Sequence, residues 1–291
     1  MASARPNIES ISIVLFCCLI GGLPNLLANN TTDIVIPFKK VNGLIILQAE
    51  VDGKKGNYLL DTGANAILID GESEPDGKAV ATVHGEVAMS SRKIEQFKVG
   101  TFVQRNLDAH IISLSSLKKE LGLDLDGIIG GGYFMPRTMT LDFEQSTLTL
   151  TSTKVADLDL EAFSTVAFQI WNEIPVVTIE IEGKHYAFAM DSGASVHFMD
   201  QKIFAHLTSI TPLNEVSKVL TVSQVTLEQN RFVLDQFKMG TTAFGGHHFL
   251  AQDFSLVNEE MDQALAGILS LSQMVREKVI FDFKQQKIYY R

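Results

Sequence analysis

The apolar positions of this chain fall mostly in short runs, and the runs end in turn-forming residues. Leu44 to Val51 and Val176 to Ile181 are two such runs, each leading into a turn at Gly53 or Gly183, which is the pattern of strands joined by tight turns. Residues 58–70 (YLLDTGANAILID) read as a strand, a sharp polar turn and a second strand, and residues 188–200 (FAMDSGASVHFMD) read the same way. Short helices are predicted over Leu114 to Leu121 and Leu256 to Leu265, just before Gly127-Ile128 and Gly267-Ile268. The segments Thr138 to Thr151 and Lys278 to Tyr290 place polar turn residues between apolar alternations, as hairpins do. The pattern predicts an all-β chain with few short helices.

The pattern is also written twice. Asn42, Glu50, Gly53, Lys54, Asp61 and Asp70 recur as Asn172, Glu180, Gly183, Lys184, Asp191 and Asp200, an offset of 130 (61 to 191). Further on, Gln96-Phe97-Lys98-Val99-Gly100 answers Gln236-Phe237-Lys238-Met239-Gly240, an offset of 140 (96 to 236) that holds to Gln145 and Gln285. The second copy therefore carries about ten extra residues between Asp191 and Gln236. Solenoid repeats run to roughly 20–50 residues, so a period this long marks a duplicated domain. The expected organisation is a first lobe over 33–151, a polar and acidic linker over 152–165 (STKVADLDLEAFST) and a second lobe over 166–291.

Residues 1–28 stand apart. Ile11 to Leu23 is uncharged and mostly apolar, with Arg5 before it and Leu26-Leu27-Ala28 after it. That is a secretory signal pattern with cleavage after Ala28, and it implies a secreted or periplasmic protein. The competing reading is an uncleaved membrane anchor, because Ile11 to Ala28 is 18 residues without charge, although Pro24 and Asn25 interrupt it. If the signal is cleaved, no stable membrane insertion is expected. Cys17 and Cys18, the chain's 2 cysteines, both lie in this segment. Disulfides, thiolate-held metal and thiol catalysis then drop out of the mature protein. The net charge of -10 and the lack of a Lys/Arg cluster argue against a nucleic-acid partner.

One Asp-Thr-Gly turn is unremarkable, since all three residues are ordinary turn formers. Two of them, flanked by apolar runs at equivalent points of a duplicated domain, are different. Related lobes packed about a pseudo-twofold axis would bring Asp61 and Asp191 together. Two carboxylates meeting there cannot both ionise cheaply, so they titrate as a unit and carry one proton at mildly acidic pH. Such a pair can hold a water, deprotonate it and protonate a carbonyl oxygen or leaving nitrogen. Gly63 and Gly193 would let backbone approach backbone. Thr62 and Ser192 have hydroxyls suited to bonding across the axis.

The run DTGA at 61–64 with DSGA at 191–194 resembles the aspartic peptidases, and Gly-Ile-Ile-Gly at 127–130 is similar to the element that packs beneath their catalytic loop. The resemblance covers about residues 35–291. It implies two β-barrel-like lobes around a central cleft, a retropepsin-like fold duplicated in one chain. By that resemblance Asp61 and Asp191 are the catalytic dyad, supported by Thr62, Gly63, Ser192 and Gly193, with no cofactor or metal. A hairpin flap should fall near Val83-His84-Gly85-Glu86, with His84 and Gly85 touching substrate; an ordinary surface hairpin fits the residues equally well. The segment NEVSKVLTV after Asp191 has no Gly, so a single functional flap is expected. Two departures stand out. Ser270 replaces the first copy's Gly130, which implies looser packing under Asp191. Ala64 and Ala194 replace a hydroxyl residue, which implies an optimum less acidic than pepsin's.

His247-His248 reads as a surface loop, because adjacent histidines on a strand point apart and chelate poorly. Gly130-Gly131-Gly132 lacks the Lys-Ser/Thr of a phosphate loop, Ser195 and His197 form no triad, and Trp171 is expected to pack near the linker. The leading functional reading is a monomeric aspartic endopeptidase acting on extended peptide or protein substrates. The alternatives are a non-catalytic peptide- or partner-binding protein on the same fold, and an enzyme confined to processing its own N-terminal region.

Overall fold

Each copy begins with a hairpin closed by a two-residue turn. Leu44–Val51 pairs with Lys54–Asp61 across Asp52 (φ 48°) and Gly53 (φ 82°), and Ile174–Ile181 pairs with Lys184–Asp191 across Glu182 (φ 50°) and Gly183 (φ 75°). Two left-handed residues in a row give the twist that flanking antiparallel strands need. The computed structural model describes residues 12–14, 33–72, 78–82, 85–152, 155, 159–221, 226–259 and 261–291.

The strand that ends in Asp61 then pairs in parallel with Gly127–Gly130, setting Asp61 opposite Gly130. Ile67–Asp70, just past the polar turn, pairs antiparallel with the far side of Gly127–Gly130 and parallel with Phe102–Ile112. Phe102–Ile112 pairs with Gly85–Val99, and Gly85–Val99 returns to Leu44–Val51. The ladder closes on itself as a barrel of six strands. The second copy closes the same ring through Ile174–Ile181, Lys184–Asp191, Gly267–Ser270, His197–Asp200, Thr242–Gln252 and Thr226–Met239, with Asp191 opposite Ser270. Closure removes the open strand edges that would otherwise invite aggregation.

The two predicted closing hairpins do form, as Thr138–Asp142 with Thr147–Thr151 and Lys278–Asp282 with Lys287–Tyr290. They do not finish their own lobes separately. Thr138–Asp142 pairs antiparallel with Lys278–Asp282, and Thr140 lies opposite Ile280, its own equivalent in the other copy. Ile34–Val41 and Ser164–Trp171 add to the outer edges, so one sheet of six strands is shared by both copies. Reciprocal contacts repeat the relation: a Cβ on Gly43 would lie 3.1 Å from Ser272 Oγ, and one on Gly132 would lie 2.9 Å from the Cβ of Glu173. Gly43 and Glu173 are equivalent positions, as are Gly132 and Ser272. The largest core cluster runs through both copies, from Phe97, Phe102 and Phe134 to Phe188, Phe237 and Phe281.

Several expectations need adjusting. The helix predicted from Leu114 spans Ser115–Leu121. The one predicted over Leu256 to Leu265 spans only Ser255–Glu259, and the side-chain amide of Asn258 instead brackets Leu265, donating to its carbonyl at 3.1 Å and accepting from its N–H at 2.8 Å. The triple glycine leads into a short 3₁₀ turn, Gly131–Phe134. The segment expected as linker is anchored: Val155 packs with Ile280 and Tyr289, against Leu160 and Phe163, and the strand Ser164–Trp171 starts inside it. Trp171 ends that strand and packs on the second copy's core with Ala187 and Met261. Apart from Ser12–Val14, the apolar N-terminal segment lies outside the described residues; those three residues run parallel to Val219–Thr221. No helix among the described residues is long and apolar enough to cross a membrane.

Candidate active site

Leu59 and Leu60, fully buried, carry their strand into the seam between the copies and deliver Asp61 there; Ala189 and Met190 do the same for Asp191. Both aspartates are buried, and each carboxyl lies against the other copy's glycine turn. The turns that follow are locked reciprocally. Thr62 Oγ1 donates to the carbonyl of Met190 at 2.7 Å and accepts from the Ser192 N–H at 3.0 Å. Ser192 Oγ donates to the carbonyl of Leu60 at 2.8 Å and accepts from the Thr62 N–H at 3.0 Å. Each hydroxyl thus joins the other copy's strand end to the other copy's turn. Four buried polar groups that would each cost about 1–3 kcal/mol unpaired are satisfied.

The glycines admit this approach. A Cβ on Gly63 would stand 2.6 Å from Asp191 Cγ, and one on Gly193 would stand 2.5 Å from Asp61 Cγ. Their N–H groups donate to the aspartate two residues before: Gly63 to Asp61 Oδ1 at 2.8 Å, Gly193 to Asp191 Oδ1 at 2.6 Å. The other oxygen of each carboxyl, Oδ2, is buried and has no hydrogen-bond partner among the described residues.

The two carboxyls differ electrostatically. Burial, and then the charge of Asp191, holds Asp61 well above the ordinary carboxylate range. Burial also raises Asp191, but a hydrogen bond from Asp61 and the N–H groups of Gly193, Ala194 and Gly63 draw it partly back. The two carboxyls therefore share one proton and titrate as a unit.

The support beneath the two turns is not symmetric. Under Asp61, the Gly130 N–H donates to the Ala66 carbonyl at 2.9 Å, and a Cβ on Gly130 would lie 2.5 Å from Ala64 O. Under Asp191 the residue is Ser270, and the looser packing expected there is not found. Ser270 is fully buried, its Oγ donates to the Ala194 carbonyl at 2.7 Å, and its N–H donates to His197 Nδ1 at 3.0 Å. The second copy has room for the hydroxyl, and the hydroxyl ties down the turn.

The expected flap is a hairpin of Lys78–Thr82 with Gly85–Val99, in which Thr82 pairs with Gly85; His84 and Val83 lie outside the described residues. The second copy, where no flap is expected, also raises a hairpin. Ile210–Thr221 pairs with Thr226–Met239 at the equivalent place, with a register shift between Pro212 and Val216. The segment forms a hairpin without glycine because strand alternation makes the hairpin arms. Leu220 on this second hairpin packs into a cluster of the first copy with Leu44, Leu68 and Met89, and helix Ser255–Glu259 packs on Lys78–Thr82. Each hairpin thus reaches the other copy.

His247 and His248 are corrected as well. They lie within the strand Thr242–Gln252, not in a surface loop, and His247 Nδ1 is 3.1 Å from His197 Nε2. Among the described residues no three metal-ligating side chains gather. His197 is fully buried and belongs to no triad, yet it bonds to the residue beside Asp191. The signal that could have found it is internal to the repeat, because Ile67 and Leu107 stand where the second copy has His197 and His247.

A family model described as aspartyl protease matches the chain twice, over residues 47–133 and again over 177–272, together more than half its length. Each match contains one aspartate turn and the strand paired beside it. A comparison with curated proteins found no match.

Proposed function

The chain belongs to the aspartyl protease family, and on that premise we propose that it is an endopeptidase in which Asp61 and Asp191 together activate one water. The observation that carries this reading is the pair of buried carboxyls, each set against the other copy's turn and each with an Oδ2 that has no hydrogen-bond partner among the described residues. In the resting state the two carboxyls share one proton. The ionised one takes a proton from the water as it attacks the peptide carbonyl, while the protonated one gives its proton to the carbonyl oxygen. The tetrahedral diol then collapses as the first passes its proton to the leaving nitrogen and the second recovers its own. Thr62, Gly63, Ser192 and Gly193 keep the carboxyls at the close approach this requires.

An extended peptide would lie beneath the two hairpins and bond to them through its backbone. Both catalytic groups come from one chain, so a monomer suffices. The apolar run ahead of Ala28 supports an exported, secreted or periplasmic, enzyme. A role in binding alone drew its support from a loosened turn above Ser270, and Ser270 is instead bonded to that turn.

The test is to express residues 29–291 and offer a mixed peptide library between about pH 3 and 7. Asp61→Asn and Asp191→Asn are each expected to lower kcat/KM by at least about 10²–10⁴-fold, the usual worth of a general acid or base. Cleavage that survives either substitution would overturn the assignment, and tight peptide binding without cleavage would return the binding role.

A further inference from the structure

Beneath its aspartate turn the first copy has Gly130 and Ile67, whereas the second inserts two histidines that the dyad itself does not use. His197 Nδ1 accepts the Ser270 N–H at 3.0 Å, so that nitrogen carries no proton. A neutral ring must then carry its proton on Nε2, which faces His247 Nδ1 at 3.1 Å. His247 Nδ1 is therefore the acceptor, and the proton of its own neutral ring is on Nε2. One tautomer is dictated along the whole path from Ser270 to His247.

We propose that His197 is a positioning residue for Asp191, and that it works as a proton-sensitive relay: protonation of His247 is passed through the His197 ring to the Ser270 backbone and loosens the Asp191 turn. This rests on the dyad reading above. The steps follow from donor and acceptor counting. A proton gained on His247 Nδ1 turns an acceptor into a donor, and it then faces the Nε2–H of His197. Relief requires His197 to shift its proton to Nδ1. That proton faces the Ser270 N–H, and the bond is lost. Ser270 pairs directly beside Asp191 and holds the Ala194 carbonyl, so its displacement is felt at the carboxyl.

The surroundings favour the neutral relay. The other strand of the His197 pairing, Thr242–Gln252, presents His247, His248 and Phe249, whose ring lies 4.8 Å from that of His197; Phe237 and Phe244 flank His247. Ser270 faces it from the remaining side, its hydroxyl 2.9 Å from that of Ser272. Burial, and after it the neighbouring His247 and His248, hold the His197 ring well below the ordinary histidine range. His247, only half-buried, is also lowered, first by burial and then by His248. His247 is thus the ring a solvent proton reaches first, and the relay trips on the acid side. Activity should end there sooner than the carboxyls alone would dictate.

The experiment compares wild type with His247→Gln, whose amide oxygen can still accept from His197 Nε2 but does not titrate. In wild type the acid limb of kcat/KM should lie higher than in His247→Gln by about half a pH unit or more, with activity at neutral pH within about threefold. A second readout needs no proteolysis. In the Asp61→Asn protein with ¹⁵N-labelled histidine, His197 should be the Nε2–H tautomer at neutral pH, and the Ser270 amide resonance should follow the titration of His247. A His197 carrying its proton on Nδ1, a Ser270 resonance indifferent to His247, or an acid limb unmoved in His247→Gln would each overturn the relay. A chain that shows the resonance coupling but cuts no peptide would overturn the dyad reading and leave the relay standing.

Discussion

Asp61 and Asp191 cost the fold stability, and pH reveals the cost. Burial raises both carboxyls above their unfolded value of about 3.9. The folded state therefore binds protons that the unfolded chain has released. Stability is greatest below the unfolded pKa and is lost as pH rises through the folded pKa. Asp61→Asn removes that loss, so the variant should melt higher than wild type at pH 7, by on the order of 1 kcal/mol, and the advantage should vanish near pH 4. Calorimetry across that range checks the sign; an advantage independent of pH would point elsewhere. Thr62 makes the opposite case. Thr62→Val keeps the shape but leaves the Ser192 N–H and the Met190 carbonyl unpaired in a buried place. The expected loss is about 1–3 kcal/mol in denaturant unfolding, with cleavage reduced further because the turns no longer hold each other. The aspartates, the hydroxyls and the glycines were all legible in the chain, because their chemistry is carried by residue type and by recurrence at one offset. His197 was not, since a histidine in an apolar strand has no meaning until its neighbours are known.

At the scale of elements, the two hairpins at equivalent places in the copies are alike in backbone and unlike in sequence. Leu220, on the second, is buried among first-copy residues. Leu220→Ala should cost about 2–5 kcal/mol if the cavity persists, and it should raise KM more than it lowers kcat, because the aspartates are untouched. Equal effects on both constants would mean that the hairpin acts on the chemistry itself. Glycine content failed to find this hairpin, because long alternating arms such as Ile210–Thr221 and Thr226–Met239 stabilise each other by pairing across the strands. The shortened helix Ser255–Glu259 has a similar cause. Its apolar pattern continues, but Asn258 bonds to Leu265 and diverts the chain. Local pattern names an element, and a single side-chain bond decides where it stops.

For the molecule as a whole, the shared sheet decides the assembly. Thr138–Asp142 meets Lys278–Asp282 about a pseudo-twofold axis, and neither edge would be covered in one copy alone. Residues 33–151 expressed by themselves should self-associate through the Thr138–Asp142 edge, which sedimentation would detect; a well-behaved monomer would mean that the edge is closed some other way. The amino-acid sequence by itself determined the duplication, the β class, the paired aspartates and the turn chemistry around them, because these depend on period, residue type and spacing along the chain. Only the tertiary structure decided that the closing hairpins merge into one sheet, that Ser270 braces the Asp191 turn, that both copies raise a hairpin, and that two histidines sit beneath Asp191 at the positions held by Ile67 and Leu107 in the first copy. Those outcomes depend on which distant strands lie side by side, and register between strands far apart in sequence is set by the burial of whole faces at once.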